Sequence, residues 1–234
     1  MYFASEMKSI ADQCTIFSTF PPGHYYTPKT GFVKYYSPVY EDFSKAINEL
    51  DLDLIRDSLI ESTKKRLMSD APIGVLLSGG LDSSLTSAIA SRLLADHGKK
   101  LLSFSIGLDA EAPDAKAARK VAEFIGTEHH EIHFTIEQGI EILDKLIWHL
   151  ETYDVTSIRA STPMYFLSKA ISEKGIKVVL SGEGADEIFG GYLYFRNAPS
   201  SEAFQKETIE RVQNLFTADL LRADKSTMAH GIEA

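Results

Sequence analysis

The sequence predicts an α/β fold, a parallel sheet covered by helices on both faces, and two observations carry that expectation. Short apolar runs recur at residues 73–77, 101–106, 130–134 and 176–180. The segments between them repeat apolar residues at helical spacing. Buried strands that alternate with amphipathic helices need crossover connections, so the strands run parallel and both faces of the sheet are covered. Sheets of this kind bind ligands outside the C-terminal ends of their strands.

Residues 1–40 differ from the rest. Pro21-Pro22-Gly23, the pairs Tyr25-Tyr26 and Tyr35-Tyr36, and the punctuation from Pro28 to Gly31 read as a β-hairpin. A hairpin that short is not a stable domain alone. The expected division is therefore 1–40 as the remnant of another domain and 41–234 as the main domain. From about Asp51 the pattern turns helical, with Leu52, Ile55 and Leu59 on one face.

Further helices are expected at Leu85, Ala88, Ile89 and Leu93, and at Ala118, Val121, Ala122 and Ile125, the latter ending at Gly126. Another is expected through Ile140, Leu143, Ile147 and Leu150, with Trp148 in the core. Thr162-Pro163 is read as a helix start, with threonine as the cap and proline at the first helical position. Beyond Gly191, Phe204, Ile209, Val212 and Phe216 suggest one more amphipathic segment.

A formal charge of −9 without any basic run argues against a nucleic-acid or anionic-membrane footprint, and points to small-molecule substrates. Cys14 is the only cysteine, which excludes intrachain disulfides and multi-cysteine zinc sites. With neither a leader pattern nor an apolar run of about 20 residues, the chain reads as cytoplasmic. His129-His130-Glu131-Ile132-His133 lacks the spacing that puts two histidines on one helix face, and instead alternates like a polar strand face.

The chemistry concentrates in two turns. The run at 73–77 leads directly into Ser78-Gly79-Gly80-Leu81-Asp82-Ser83-Ser84. Glycines let a ligand approach where a Cβ would collide. The helix that follows aims unpaired amides and the positive end of its dipole at the same place. The loop is neither Gly-Lys-Ser/Thr nor Gly-x-Gly-x-x-Gly. Asp82 would repel bare phosphate, so an acid here makes sense if it holds a Mg²⁺ that bridges phosphates. The plainer alternative is that Asp82 and Ser83 cap the helix.

The second turn, residues 181–191, follows the last apolar run and carries Glu183, Asp186 and Glu187. The parallel sheet places it at the same edge as the first turn. Three acids so close are costly unless solvated or sharing a metal. Arg159 is the one cation near these segments, and its planar fork suits a carboxylate or pyrophosphate. A surface salt bridge to Glu151 or Asp154 is the competing role for it.

Ser78 to Ser84 resembles the pyrophosphate loop of the N-type ATP pyrophosphatases. Taken with the segment from Ser181 to Tyr192, and with Glu151 to Thr156 leading to Arg159-Ala160-Ser161-Thr162-Pro163, the chain resembles the glutamine-dependent asparagine synthetases over essentially its whole length. The resemblance implies an adenine nucleotide alpha hydrolase-like fold. It also implies ATP and Mg²⁺ as cofactors, with aspartate and ammonia joined through a β-aspartyl-adenylate. Leu76 and Ile106 would flank the adenine, and Ser181 and Gly182 would touch the nucleotide. Asp82 and Asp186 would hold the metal. Glu183, Arg159 and Thr156 would be the catalytic set.

The same resemblance implies a glutaminase domain whose nucleophilic cysteine has no counterpart before Cys14, so ammonia production from glutamine is not expected of this chain. Phe3 to Lys8 resembles the closing part of that domain, and Arg222 to Ala234 matches the family up to the end of the sequence. A homodimer or a separate glutaminase domain is the expected partner. A β-lactam synthetase-like enzyme, or a non-catalytic nucleotide-binding module, remains as an alternative.

Overall fold

A computed structural model describes residues 1–217 and 225–232 of the protein. The segments 222–224 and 233–234, where part of the family resemblance falls, lie outside the described residues. Near the start of the chain, β1 (His24–Thr27) and β2 (Gly31–Lys34) pair antiparallel, with Tyr26 opposite Phe32. Phe3 and Phe20 pack onto that pair, with ring centroids about 5 to 6 Å apart. The hairpin is the one expected from sequence.

The main domain begins with α1 (Leu52–Arg66), capped by Asp51, whose carboxylate accepts from the Leu54 amide at 2.9 Å. It continues with β3 (Ile73–Leu76), α2 (Leu81–Ala95), β4 (Leu102–Gly107), α3 (Pro113–Ile125) and β5 (Glu128–His133). Next come α4 (Ile136–Glu141), α5 (Leu143–Leu150), α6 (Val155–Glu173), β6 (Val178–Leu180), α7 (Ala185–Phe189) and α8 (Ser201–Asn214). Among the described residues no helix is long and apolar enough to cross a membrane.

The four strands β3 to β6 form one wholly parallel sheet in the order β5-β4-β3-β6. The chain winds outward from β3 to β5 and then returns to lay β6 on the other side of β3. That reversal opens a crevice at the C-terminal ends of β3 and β6. Gly74 in β3 makes room for a neighbour: a Cβ there would sit 2.8 Å from the Phe104 ring. Phe104 is fully buried, and that burial stabilises the fold by roughly 2 to 3 kcal/mol.

Side-chain alternation along the strands divides the core. Phe104 and Val179 face α6 with Leu167 and Ile171. Val75 and Leu101 pack on Ala90 of α2, while Leu77 packs on Ala118 and Ala122 of α3. Helices thus cover both faces, as the sequence predicts.

Three local expectations are corrected. Thr162-Pro163 does not start a helix, since α6 opens at Val155 and carries Pro163 inside it. Asp154 caps α6 instead, its carboxylate accepting from the Ser157 amide at 2.8 Å, and Thr162 donates its hydroxyl to the Ile158 carbonyl at 2.8 Å. The single helix expected through residues 140–150 is two helices, broken at Ile142, and α4 opens with a capping box between Thr135 and Gln138. Trp148 is not core: it is 65% exposed, with the Lys8 ammonium 5.1 Å from its ring. The histidine segment does lie in a strand, but its histidines face both ways. His129 contacts the hydroxyls of Ser103 and Ser105, and His130 stacks on Phe104.

Candidate functional site

The first turn leaves β3 with the Leu77 amide donating to the Phe104 carbonyl at 2.8 Å. Gly79 then takes φ +83°, where a side chain is strained, and a Cβ there would stand 2.5 to 2.7 Å from atoms of Ala117 and Ala118. The glycine therefore lets the turn lie against α3. Gly80 is the N-cap of α2, and no side chain caps that helix. Helix capping by Asp82 or Ser83 is thus ruled out. Ser83 instead ties the turn together. Its hydroxyl lies 2.9 Å from the Ser78 hydroxyl, accepts from the Ser78 amide at 3.3 Å and donates to the Gly80 carbonyl at 3.2 Å. The first-turn amides of α2 keep their positive end toward the crevice.

The second turn leaves β6 at Ser181 and meets the first one. A Cβ on Gly182 would stand 2.7 Å from the Ser83 nitrogen and 3.0 Å from the Asp82 Cβ. Only glycine allows these two backbones to approach so closely. Gly184 (φ +86°) leads into α7, and Gly190 (φ +64°) leads out of it.

Between the turns lies a cleft of about 350 Å³, within the size range of ligand sites. Its polar end is lined by Ser78, Gly80, Asp82 and Ser83 from the first turn, and by Ser181, Gly182, Glu183 and Asp186 from the second. Its apolar wall holds Leu76 and Ile106, with Phe104, Met164 and Leu167 beside them.

The electrostatics of the polar end favour a cation. Burial raises the Asp186 carboxyl above its ordinary value, and the neighbouring Asp82 charge raises it further. A carboxyl raised by burial and by a neighbouring carboxylate is relieved by a positive charge beside it. Among the described residues no group of three or more His, Cys, Asp or Glu side chains is placed to hold a metal. Mg²⁺ typically takes one or two carboxylates and completes its shell with phosphate oxygens and water, so Asp82 and Asp186 fit that ion when it arrives with phosphates.

Not every sequence candidate reaches the cleft. Leu81 is 79% exposed, and Gly79 serves the contact with α3. The Ser84 hydroxyl is buried, has no hydrogen-bond partner among the described residues and does not line the cleft. Thr156 and Arg159 lie on the first turns of α6, are exposed, and line no part of the cleft. Glu151, one of the carboxylates weighed for Arg159, is occupied elsewhere, by Lys225 at 2.7 Å and by Lys8.

Other cleft residues were not anticipated: Asp114 and Ala115 on the first turn of α3, Met164 and Leu167 on α6, and Tyr192 after the second turn. The Pro113-Asp114 helix start that follows β4 was the readable signal for the first of these. Glu187 belongs to the acidic cluster of the second turn, yet it is 2% exposed and lines the cleft.

A family model described as asparagine synthase matches residues 54–212. The chain is similar to the probable glutamine-hydrolysing asparagine synthetase of Schizosaccharomyces pombe, at 54% identity over 250 residues, covering all of this chain and 45% of that protein. It is similar to glutamine-hydrolysing asparagine synthetase 1 of Saccharomyces cerevisiae at 51% identity over 266 residues, covering all of this chain and 46% of the relative. It is also similar to glutamine-hydrolysing asparagine synthetase 2 of Oryza sativa, at 51% over 243 residues, covering all of this chain and 41% of the relative. The chain spans somewhat under half the length of these relatives. The family match takes in both glycine turns and the strands that carry them, and the chain belongs to the asparagine synthase family.

Proposed function

We propose that this chain carries the ATP-dependent step of asparagine synthesis, in which the aspartate side chain is activated as an adenylate and ammonia displaces AMP. The observation that carries the reading is the contact of Gly182 with Asp82 and Ser83, which brings the two turns to one cleft.

In this reading the adenine lies between Leu76 and Ile106, and the triphosphate meets the first-turn amides of α2 and the hydroxyls of Ser78 and Ser83. Ser181 and Gly182 contact the nucleotide from the other side. Asp82 and Asp186 would hold Mg²⁺, which when bound would neutralise charge on the departing pyrophosphate. A side-chain carboxylate oxygen of aspartate attacks the α-phosphorus, and the bond to pyrophosphate breaks. Ammonia then attacks the acyl carbon, AMP leaves with the bonding electrons, and Glu183 takes the proton released from nitrogen. Arg159 and Thr156 bind the aspartate, from positions on α6 that do not line the described cleft.

Residues 1–40 act as the end of a glutaminase domain and 41–234 as the nucleotide domain. A second copy of the chain or a separate glutaminase domain is its partner. A reducing cytoplasm suits the lone thiol of Cys14.

The test is pyrophosphate release from ATP with ammonia and each candidate acid, beside calorimetry with MgATP. Aspartate-dependent release supports the enzyme. MgATP binding without release supports a nucleotide-binding module, and no binding at all overturns the reading.

A further inference from the structure

We infer that Tyr192 and Glu187 form a clasp that positions Asp186 for the magnesium-bound phosphates, an assignment that rests on the nucleotide site proposed above. Among the described residues Glu187 is the one Asp, Glu, Lys or Arg that is fully buried, at 2% exposed. A carboxylate so buried needs a hydrogen-bond donor nearby, and Tyr192 supplies one, donating its hydroxyl to Glu187 Oε1. The pair is built into the turn.

α7 has only five residues, too few to hold its own orientation. The chain doubles back over it at Gly190 and Gly191, and the Gly191 amide donates to the Asp186 carbonyl at 2.9 Å. A Cβ on Gly191 would overlap the Asp186 carboxylate, and one on Gly190 would overlap the Phe204 ring.

Tyr192 itself is fixed by its neighbours. Its ring stacks on Tyr194 with centroids 5.5 Å apart, and Phe195, 4% exposed, packs on Phe204 at 5.2 Å. Neighbouring residues on a helix point about 100° apart. Holding Glu187 inward against Tyr192 therefore sets the roll of α7, and with it the direction of Asp186, whose carboxyl feels the charge of Asp82. Tyr192 and Glu187 are positioning residues here, and Asp82 and Asp186 are the groups they serve.

The test measures the MgCl₂ concentration that gives half of the full thermal shift with ATP, using the full chain. Tyr192→Phe, which removes only the hydroxyl, is expected to raise that concentration about fivefold to tenfold. Glu187→Met keeps volume without a good acceptor and is expected to match it, which covers the case in which one variant does not fold. Glu187→Gln keeps an acceptor for the tyrosine and is expected to stay within about twofold of the wild type.

Asp186→Asn serves as the control for the site itself. If it raises the magnesium requirement while Tyr192→Phe and Glu187→Met do not, the clasp is overturned and the nucleotide site stands. If Glu187→Gln is as damaging as Asp186→Asn, Glu187 acts directly through its charge and the positioning role is overturned. If Asp186→Asn has no effect, the metal site fails and the clasp fails with it.

Discussion

Two partly buried carboxylates in this protein are shifted in opposite directions. Glu151, at the end of α5, is the one non-glycine residue with positive φ among those described, at +58°. Burial pushes its carboxyl up, but hydrogen bonds from Lys225 and from the Lys8 and Met7 amides outweigh that and hold it at about 2. Asp186 is also raised by burial, and its charged neighbour is another carboxylate. The difference separates two uses of an acid. Glu151 is matched by donors from its own chain and ties the segment at 7–8 to Lys225. Among the described residues Asp186 has no such compensation, which suits the ligand-borne cation proposed for it.

The largest expected effect is on the structural acid. A carboxyl at about 2 in the folded chain and 4.5 otherwise contributes on the order of 3 kcal/mol, since its side chain is only 9% exposed. The lowered value means this stability is fully present above pH 4.5 and is lost as the pH falls toward 2. Urea unfolding across that range should show the loss in the wild type and a shallower slope in Glu151→Gln. The same variant should be less stable at pH 7, because Lys225 loses its partner.

Next is the contact between the turns. Gly182→Val drives a side chain into the Ser83 and Asp82 backbone, which costs about 1–3 kcal/mol of stability and removes the MgATP-induced thermal shift. A variant that keeps the full shift would show that the turns need not touch for nucleotide to bind.

The smallest effect has the opposite sign. Asp82→Asn relieves the repulsion felt by Asp186, so without magnesium it should stabilise the chain by about 0.5 kcal/mol at pH 7, measured by urea unfolding. A destabilised Asp82→Asn would mean that the acid is matched within the chain, as Glu151 is.

The sequence made some of this legible and hid the rest for physical reasons. The strands and the first turn could be read because short apolar runs and paired glycines are local signals. The second turn was readable as acidic and glycine-rich, but the burial of Glu187 depends on Tyr192, Phe195 and Phe204 folding back over α7. Pro163 misled because a threonine-proline pair is a good helix start in isolation. In the folded chain Asp154 is a working cap, and Thr162 donates its hydroxyl to a helix carbonyl one turn earlier. Trp148 misled because it stands among apolar residues, yet one position past Ile147 it is turned off their face and lies out toward Lys8. Thr156 and Arg159 lie on the first turns of the helix that this earlier start creates, where both are exposed.

A double-mutant cycle on MgATP affinity, by calorimetry with Asp82→Asn, Asp186→Asn and the pair, tests the shared site most directly. One metal held jointly requires each single variant to weaken MgATP about tenfold or more, and the double variant to lose clearly less than the product of the two. Losses that multiply independently, or single variants that bind as the wild type does, would contradict it.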